Sequence, residues 1–408
     1  MTLEVRRDVS RASARAPSGD DTGALRRLNT ARVLRSLRNA GPGTRAELAK
    51  RTALAKATVG TIVADLHACA AVVEDESVPD GRGRPGRPVR LTGDAFLGVG
   101  FELNVDYVAA VALDLAGEIR FSSVRPAPEL PSTGLESHPI IDLARELTEL
   151  FPVGQHRFLG ATIAVPGLVG GDNRTMAWTP NLGIEGSALA DELEAALEGR
   201  TTVRAENDAN CAALAEAHRG AAMDAAHALY LTGTVGIGAG ILQERRLLRG
   251  AAGFAGEVGH LAIGGTAALC GCGRRGCWEA SVGLLAMLEA TGMPELENPI
   301  RSAEAVAARA ATDPAVEAAV TRIGEQVGVG LAMLVDVLDP AVIVLGGYFV
   351  PLGDLVLNPA RRALADRAGT RRPPPELRLS ALGIQAAALG AAEESLRPTF
   401  TGEASLAP

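Results

Sequence analysis

The chain has 408 residues, a formal net charge of −8 and 47% hydrophobic residues, which is enough for two or three globular domains with sizeable cores. The amino terminus lacks a positively charged leader followed by an apolar core, and no uninterrupted apolar run is long enough to span a bilayer. These features exclude a membrane protein and predict a cytoplasmic one without a membrane partner.

The charge is distributed unevenly along the chain. Residues 1–92 contain 17 Lys and Arg against 10 Asp and Glu, whereas the remainder contains 23 against 38. A basic segment suits a polyanion such as DNA, and an acidic remainder suits a domain that binds a small molecule. The alternative is a solvated basic face that has no partner.

The first 92 residues have the pattern of an arm followed by helices. Residues 1–22 contain almost no large apolar side chains, so we predict a disordered arm. The segment 23–92 is the predicted DNA-binding domain. Apolar side chains of its first helix recur at Leu28, Val33, Leu34 and Leu37.

Two more helices follow the stop signal Gly41-Pro42-Gly43. Thr44 and Glu47 have the spacing of a capping box at the start of the second helix. A third helix is predicted from Lys56 to Cys69. Its buried stripe consists of Val59, Ile62, Val63 and Leu66. Three helices of these lengths predict a helix-turn-helix.

A basic hairpin follows the three helices. Val72–Glu74 and Val89–Leu91 are predicted to be antiparallel strands, with the Arg- and Gly-rich tip 81–88 between them. This is a wing, whose arginines suit a narrow minor groove, while the start of the third helix suits the major groove. The alternative is a flexible basic linker. The candidate DNA contacts are Arg45, Arg51, Lys56, Ala57, Thr58, Gly60, Arg82, Arg84 and Arg87.

Strands alternate with helices from residue 93 to residue 408. A hairpin is predicted from the strands 97–103 and 107–114, and the almost wholly apolar segment 159–165 has the composition of a buried strand. Similar strands recur at 228–232 and 342–347. We therefore predict two α/β lobes with a cleft between them.

Polar residues follow several of these strands, at the positions where ligands meet α/β sheets. Asn207 and Asp208 combine an amide and a carboxylate that can grip adjacent hydroxyls of a sugar. Together with Glu257 and Glu279 they form a candidate site for a polyol. The alternative for Asn207 and Asp208 is an ordinary helix cap.

Four metal-ligand side chains lie within the predicted zinc loop, residues 257–279. His260, Cys270, Cys272 and Cys277 form a closed tetrahedral donor set, which predicts a structural Zn²⁺ ion rather than a catalytic one. The alternative is a Gly-rich loop with reduced cysteines. The other two cysteines, Cys69 and Cys211, are interpreted as buried small hydrophobes.

Together these segments resemble the ROK family of repressors, open-reading-frame proteins and sugar kinases, over essentially all of the chain from about Thr30 onward. The resemblance implies a two-lobed, actin-like or hexokinase-type (ribonuclease H-like) α/β domain, preceded by an α+β winged helix-turn-helix. It implies zinc ligation by His260 and the three cysteines named above. The sugar contacts that it implies are Asn181, Asn207, Asp208, Glu257, His260 and Glu279.

The chain departs from the family's kinases at the first phosphate loop. Those kinases carry Asp-x-Gly-Gly-Thr, whereas this chain has Gly100-Phe-Glu-Leu-Asn104. Asp208 matches the kinases' general base, but the loss of the phosphate loop predicts that it is vestigial and that the protein is not an enzyme. Two smaller departures are Ala55, where the family usually has Ser, and Ala70, near a usual Gly.

The resulting hypothesis is a repressor of genes for sugar or amino-sugar metabolism, released from double-stranded operator DNA by a sugar or phosphosugar. Palindromic operators imply a homodimer or a dimer of dimers. One alternative is an ATP-dependent sugar kinase with an accessory DNA-binding segment. Another is a DNA-bound regulator that senses no sugar.

Overall fold

The computed structural model describes residues 19–76, 86–93, 95–127, 138–179, 181–234, 236–263, 268–368 and 373–406. Its described residues form two compact units. The first unit contains the residues up to Leu91 and those from Pro398 onward, and the second contains Thr92–Arg397.

The first unit consists of three helices and a small antiparallel sheet. The helices are α1 (Gly19–Ala40), α2 (Arg45–Thr52) and α3 (Lys56–Ala68). The strands are β1 (Gly43–Thr44), β2 (Val72–Glu74) and β3 (Pro88–Leu91), in the order β1-β3-β2. Three helices followed by an antiparallel pair of strands agree with the order of elements predicted for residues 23–92. The predicted stripe of α3 is buried at all four of its positions.

The ends of the short helices follow their local sequence. Thr44 caps α2, because its Oγ1 accepts from Glu47 N at 3.3 Å while Thr44 N donates to Glu47 Oε2 at 2.7 Å, which confirms the capping box. At α3 the cap residue Ala55 offers no side-chain acceptor, and Ala70 has φ +57°. The missing cap costs about 1 kcal/mol and the left-handed residue about 1–2 kcal/mol.

Several predicted segments of this unit differ from the structure or lie outside it. Helix α1 begins at Gly19, so it overlaps the end of the predicted arm. Arg82 and Arg84 of the wing tip lie outside the described residues. Residues from Pro398 onward were predicted as part of 93–408 but group with the first unit, where Arg38 lies 4.8 Å from the ring centroid of Phe400.

The second unit contains two five-stranded sheets with the same topology. The first has the order β10-β7-β4-β5-β6 and the second the order β13-β12-β11-β14-β15. In each sheet three consecutive strands form an antiparallel meander, and two further strands pair in parallel beside the first strand of that meander. The strands of the first sheet are β4 (Phe96–Leu103), β5 (Tyr107–Asp114), β6 (Ile119–Pro126), β7 (Arg157–Val165) and β10 (Val203–Asn207). Those of the second are β11 (Ala228–Gly233), β12 (Ile237–Gln243), β13 (Arg246–Leu247), β14 (Val342–Gly347) and β15 (Glu376–Leu379).

Helices and a short ribbon complete the unit. The ribbon pairs β8 (Leu168–Val169) with β9 (Met176–Trp178). The helices are α4 (Pro139–Leu150), α5 (Ala188–Ala196), α6 (Asp208–Arg219), α7 (Glu279–Val282), α8 (Leu284–Thr291), α9 (Pro299–Ala310), α10 (Pro314–Leu338), α11 (Phe349–Leu352), α12 (Asp354–Ala368) and α13 (Ala386–Thr401). Short 3-10 helices span Val258–His260 and Gly383–Gln385. The repeated topology confirms the two-lobed prediction.

Helix α13 packs backbone against backbone. A Cβ added to Gly100 on β4 would lie 2.1 Å from Ala388 O and 2.3 Å from Ala392 N. On another side of the helix, a Cβ at Gly390 would lie 1.6 Å from Cys211 O of α6. Glycine is therefore required at both contacts, because any side chain would push the helix away.

One helix in the described part of the chain, α10, is long and apolar enough to cross a membrane by length and composition. Its most apolar window is 61% buried inside the protein. Such burial is typical of the central helix of a globular domain.

Candidate metal centre and ligand site

Four side chains meet beside the short helix Val258–His260. The ligand atoms of His260, Cys270, Cys272 and Cys277 all lie within 4.8 Å of one another. Two turns with positive φ, at Gly273 (φ +81°) and Gly276 (φ +74°), bring the cysteines together. The cluster could therefore hold a metal ion.

The separations within this cluster fit a four-coordinate ion. Zn–S bonds of about 2.3 Å at tetrahedral angles place two sulfurs about 3.8 Å apart. The distance between Cys272 Sγ and Cys277 Sγ is 3.7 Å, and Cys270 Sγ lies 3.7 Å from His260 Nδ1. All three cysteines are free rather than disulfide-bonded. The donor set is one that zinc prefers.

The two ring nitrogens of His260 face different neighbours. Nδ1 points towards Cys270, whereas Nε2 lies 3.7 Å from Glu257 Oε2. One nitrogen is thus placed for a metal and the other for a polar partner, the double role that the resemblance implies. Burial, together with the negative charge of Glu279, raises the pKa of Glu257.

Glu279 is held by the protein through both oxygens. Its Oε2 accepts from Ile237 N at 2.9 Å, and its Oε1 lies 3.2 Å from Cys270 Sγ. Gly236 is in contact with the same carboxylate, since an added Cβ would lie 2.3 Å from Glu279 Oε2. Glu279 therefore links the loop of residues 257–279, here called the metal-ligand loop, to the hairpin formed by β11 and β12.

Asn207 and Asp208 lie at the junction of β10 and α6. Asn207 is the helix cap, because its Oδ1 accepts from Asn210 N at 3.1 Å and its Nδ2 donates to Gly167 O at 3.1 Å. Asn207 therefore caps α6, and its contact with a sugar stays a prediction. Asp208 is 8% exposed, and burial raises its pKa to about 6. The negative charge of Glu257 contributes to this rise.

Asn181 lies in an exposed turn after β9. No described hydrogen bond joins its side chain to the other predicted sugar contacts. Asp208, Glu257, His260 and Glu279 are coupled by charge or contact, whereas Asn181 remains a prediction from the resemblance.

The first hairpin has no open phosphate loop. Strand β4 continues to Leu103, which pairs with Val108 of β5. Asn104 N donates to Tyr107 O at 2.9 Å, and Val105 N donates to Asn104 Oδ1 at 2.8 Å. These amides are therefore already used within the turn.

Glu102 lies at the end of β4 with its carboxyl group buried. Oε1 accepts from Tyr107 OH at 2.5 Å, and Tyr107 OH also lies 3.2 Å from Ile384 O. Oε2 is buried without a hydrogen-bond partner among the described residues, although the amide of Ala388 in α13 is near enough to favour the charged form. Burial, reinforced by the charge of Asp208, raises the pKa of Glu102 to about 8.

An ionic cluster that sequence reasoning missed adjoins the site. Arg249 Nε lies 2.7 Å from Glu206 Oε2, and its Nη2 lies 3.0 Å from Glu394 Oε1 in α13. Glu206 also accepts from Asn210 Nδ2 at 2.9 Å. The cluster therefore holds the turn that carries Asp208. No spacing rule links residues so far apart in the chain, so only the folded protein reveals it.

The predicted DNA contacts are exposed or half-buried where the structure describes them. Lys56, Ala57 and Arg87 are exposed, whereas Thr58 and Gly60 are half-buried. Arg45 lies 2.6 Å from Glu74 Oε1, and Arg51 donates to Gly41 O at 3.1 Å. These two arginines thus also bind groups within the first unit. Cys69, interpreted as buried, is partly exposed, while Cys211 is buried as predicted.

Comparison with known proteins decides the family. Residues 99–395 match the ROK family. The chain belongs to the ROK family. This membership confirms the resemblance inferred from the motifs. The matched residues include both lobes and the metal-ligand loop.

Proteins similar to this chain include repressors and kinases. The chain is 29% identical over 373 residues to the xylose repressor of Bacillus subtilis strain 168, covering 91% of this chain and 95% of that protein. It is 29% identical over 321 residues to the glucokinase of Streptomyces coelicolor, covering 74% and 98%. The crystal structure of a ROK family transcriptional regulator, a homologue of the Escherichia coli MLC protein, matches with a TM-score of 0.77 and 23% identity, covering 93% and 98%. That last likeness concerns the fold.

The raised pKa of Glu102 predicts a pH-dependent stability. Its carboxyl ionises near 4.5 when unfolded and near 8 when folded, so between these values the folded protein keeps a proton that the unfolded chain releases. Stability therefore falls as the pH rises through this window. We expect Glu102→Gln to gain free energy of unfolding relative to the wild type, by up to about 1.4 kcal/mol per pH unit.

Urea denaturation at pH 5, 6.5 and 8 measures this difference. The fluorescence of Trp178 and Trp278, both in the second unit, reports the unfolding. Glu149→Gln, which changes an exposed carboxylate of α4, is the matched control and should show no such trend. Parallel stability curves for the wild type and Glu102→Gln would contradict the prediction.

Proposed function

We propose that this protein is a cytoplasmic, sugar-responsive transcriptional repressor of genes for sugar or amino-sugar metabolism. Residues 23–92 bind double-stranded operator DNA, and residues 93–408 bind a sugar effector that lowers the affinity for DNA. The observation that carries the proposal is a winged-helix unit in the same chain as a ROK domain whose first phosphate hairpin has its amides already hydrogen-bonded. The similarity to a xylose repressor over 91% of the chain supports it.

The DNA contacts follow from the helix and the wing. The start of α3, with Lys56, Ala57, Thr58 and Gly60, enters the major groove. Arg45 and Arg51 contact phosphates, while the wing arginines Arg82, Arg84 and Arg87 contact the minor groove. A homodimer or a dimer of dimers presents two such heads to a palindromic operator.

The effector site is built around Asp208. Its carboxylate and those of Glu257 and Glu279, with His260 Nε2, bind hydroxyls of the sugar, and Asn181 and Asn207 complete the set. Closure of the two lobes around the sugar changes the spacing of the DNA-binding heads. The sugar can weaken DNA binding only to the extent that it binds the DNA-free state of the protein more tightly than the DNA-bound state.

A structural Zn²⁺ ion holds the metal-ligand loop. His260, Cys270, Cys272 and Cys277 ligate it, and the ion fixes the loop that carries Glu257 and Glu279 without leaving a position for water. The role of the metal is therefore to keep the sugar contacts in place.

The zinc proposal predicts that Cys277→Ser abolishes metal binding and the response to sugar. DNA affinity without sugar should change little, because the cluster lies in the second unit. Metal content is measured by plasma mass spectrometry and DNA affinity by gel shift. Cys69→Ser, outside the cluster, is the control and should keep one zinc ion per chain. Full zinc content in Cys277→Ser would contradict the ligand assignment.

A sugar kinase is the second candidate, because the pKa of Asp208, raised to about 6, suits a general base near neutral pH. Two contacts oppose it. Gly100 has no room for the aspartate of the kinases, since α13 backbone atoms occupy that space. The amides of Asn104 and Val105 are used within the turn and cannot bind phosphate.

We therefore expect no ATP turnover above buffer in a coupled assay with magnesium and a panel of hexoses and pentoses. Phosphoryl transfer needs positioned donors and cations around the γ-phosphate, which this hairpin lacks. Turnover that disappears in Asp208→Asn would restore the kinase hypothesis. Turnover that persists in this variant would indicate a contaminating enzyme.

The repressor proposal predicts the behaviour of Asp208→Asn in a gel shift on the DNA upstream of the protein's own gene. For the wild type, one sugar of the panel should weaken DNA binding by about fivefold or more. Asp208→Asn should bind DNA normally and lose this response, because the amide lacks the charge that grips the hydroxyls. Asp142→Asn, an exposed change in α4, is the control. Equal loss of DNA binding and sugar response would contradict a sensing role.

A further inference from the structure

We propose that Glu102 makes the effector site select sugars without a phosphate group, so that a phosphorylated sugar is a poor ligand when its phosphate would lie beside Asp208. The inference rests on the proposed function, since it concerns the ligand of the same site. Glu102 is then a specificity-determining residue, and the effector is a sugar without a phosphate group.

The sheet places Glu102 and Asp208 at one edge. Strands β4, β7 and β10 are parallel, and both Glu102 and Glu206 pair with Ala164 of β7. Glu102 is thus level with Glu206, and Asp208 follows Glu206 by two residues. Strands lie about 4.8 Å apart, so the two carboxyl-bearing segments are separated by about two strand spacings. A group of the size of a phosphate at this edge lies near both acids.

The two acids influence each other. The charge of Asp208 contributes to the raised pKa of Glu102, and both acids contribute to the raised pKa of Tyr107. Both are buried, with exposures of 3% and 8%. A phosphate monoester carries a charge of about −1.5 to −2 at neutral pH. In this region poor in water it meets the negative charge of Asp208 at neutral pH, and above the pKa of about 8 it also meets that of Glu102.

Several groups that could offset this charge are already engaged. The amides of Asn104 and Val105 donate within the first turn, and Ile237 N donates to Glu279. Arg249 is paired with Glu206 and Glu394. A phosphate would therefore gain neither a ring of amides nor an unpaired guanidinium from these residues.

A sugar hydroxyl carries no charge, so the acids do not repel it and it needs no cationic partner. It donates to a carboxylate and accepts from a protonated carboxyl, so it is compatible with either state of Glu102 and Asp208. The same edge thus accepts a neutral sugar and disfavours its phosphate ester.

The test is isothermal titration calorimetry on the full-length protein with three matched pairs of probes. These are glucose and glucose 6-phosphate, N-acetylglucosamine and its 6-phosphate, and xylose and xylose 5-phosphate. The titrations are run at pH 8.5, above the pKa of about 8 for Glu102. The wild type should bind the free sugar of at least one pair about tenfold or more tightly than its phosphate, a difference of one 1.4 kcal/mol step.

Two substitutions assign the selectivity to Glu102. Glu102→Gln keeps the size and removes the charge, and Glu102→Gly removes both. In each, the ratio of the two dissociation constants should fall by about fivefold or more, a loss of about 1 kcal/mol. Glu149→Gln, an exposed change in α4, should keep the wild-type ratio. Circular dichroism melting shows whether each variant is folded.

The outcomes separate this inference from the proposed function. A phosphosugar that binds the wild type as tightly as its parent sugar would overturn the selectivity while leaving the repressor intact. An unchanged ratio in both folded variants would remove Glu102 as its cause. If none of the six probes bound or altered the gel shift, the proposed function would itself fail, and the inference with it.

Discussion

The close packing of α13 is the constraint on which the site depends. Backbone atoms of this helix occupy the space beside Gly100, and the same helix meets α6 through Gly390 and Cys211. Such contacts leave no void to absorb a side chain, so the end of β4 cannot carry the aspartate of the family's kinases. The first turn of α13 instead lies beside Glu102, and Ile384, in the 3-10 helix just before α13, lies beside the Tyr107 hydroxyl. The β4–β5 hairpin, which carries the first phosphate loop in the family's kinases, thus packs here against α13.

The region around Asp208 combines two kinds of support. On one side, Arg249 joins Glu206 and Glu394, which fixes the turn before α6. On the other, the metal-ligand loop places His260 and Glu257 together and attaches Glu279 to Ile237. Buried charges are stable only when they are paired and hydrogen-bonded, so these networks also restrict the site to one geometry. A rigid site of this kind suits a protein that must distinguish a bound ligand from an empty site.

Local features of the fold could be predicted from particular residues. The Thr44 and Glu47 pair predicted the start of α2, because a capping box needs only residues three apart. The spacing of Val59, Ile62, Val63 and Leu66 predicted the buried face of α3. Cys270, Cys272 and Cys277 predicted a metal-ligand cluster because their chemistry has few other uses at such spacing. The local sequence left open whether Asn207 is a cap, and the prediction that Cys69 is buried was wrong, since each depends on neighbours that the local sequence does not specify.

Sequence by itself determined the family, the two-lobed α/β class, the four His and Cys residues that could hold a metal ion, and the loss of the kinases' phosphate motif. These depend on residue type and short spacing, which the chain displays directly. Tertiary structure alone decided that Glu102 is buried against Tyr107 and α13, that Arg249 joins Glu206 to Glu394, and that residues from Pro398 onward group with the amino-terminal unit. Each of these joins segments more than a hundred residues apart or depends on desolvation. Burial and long-range pairing are properties of packing, and no local pattern encodes them.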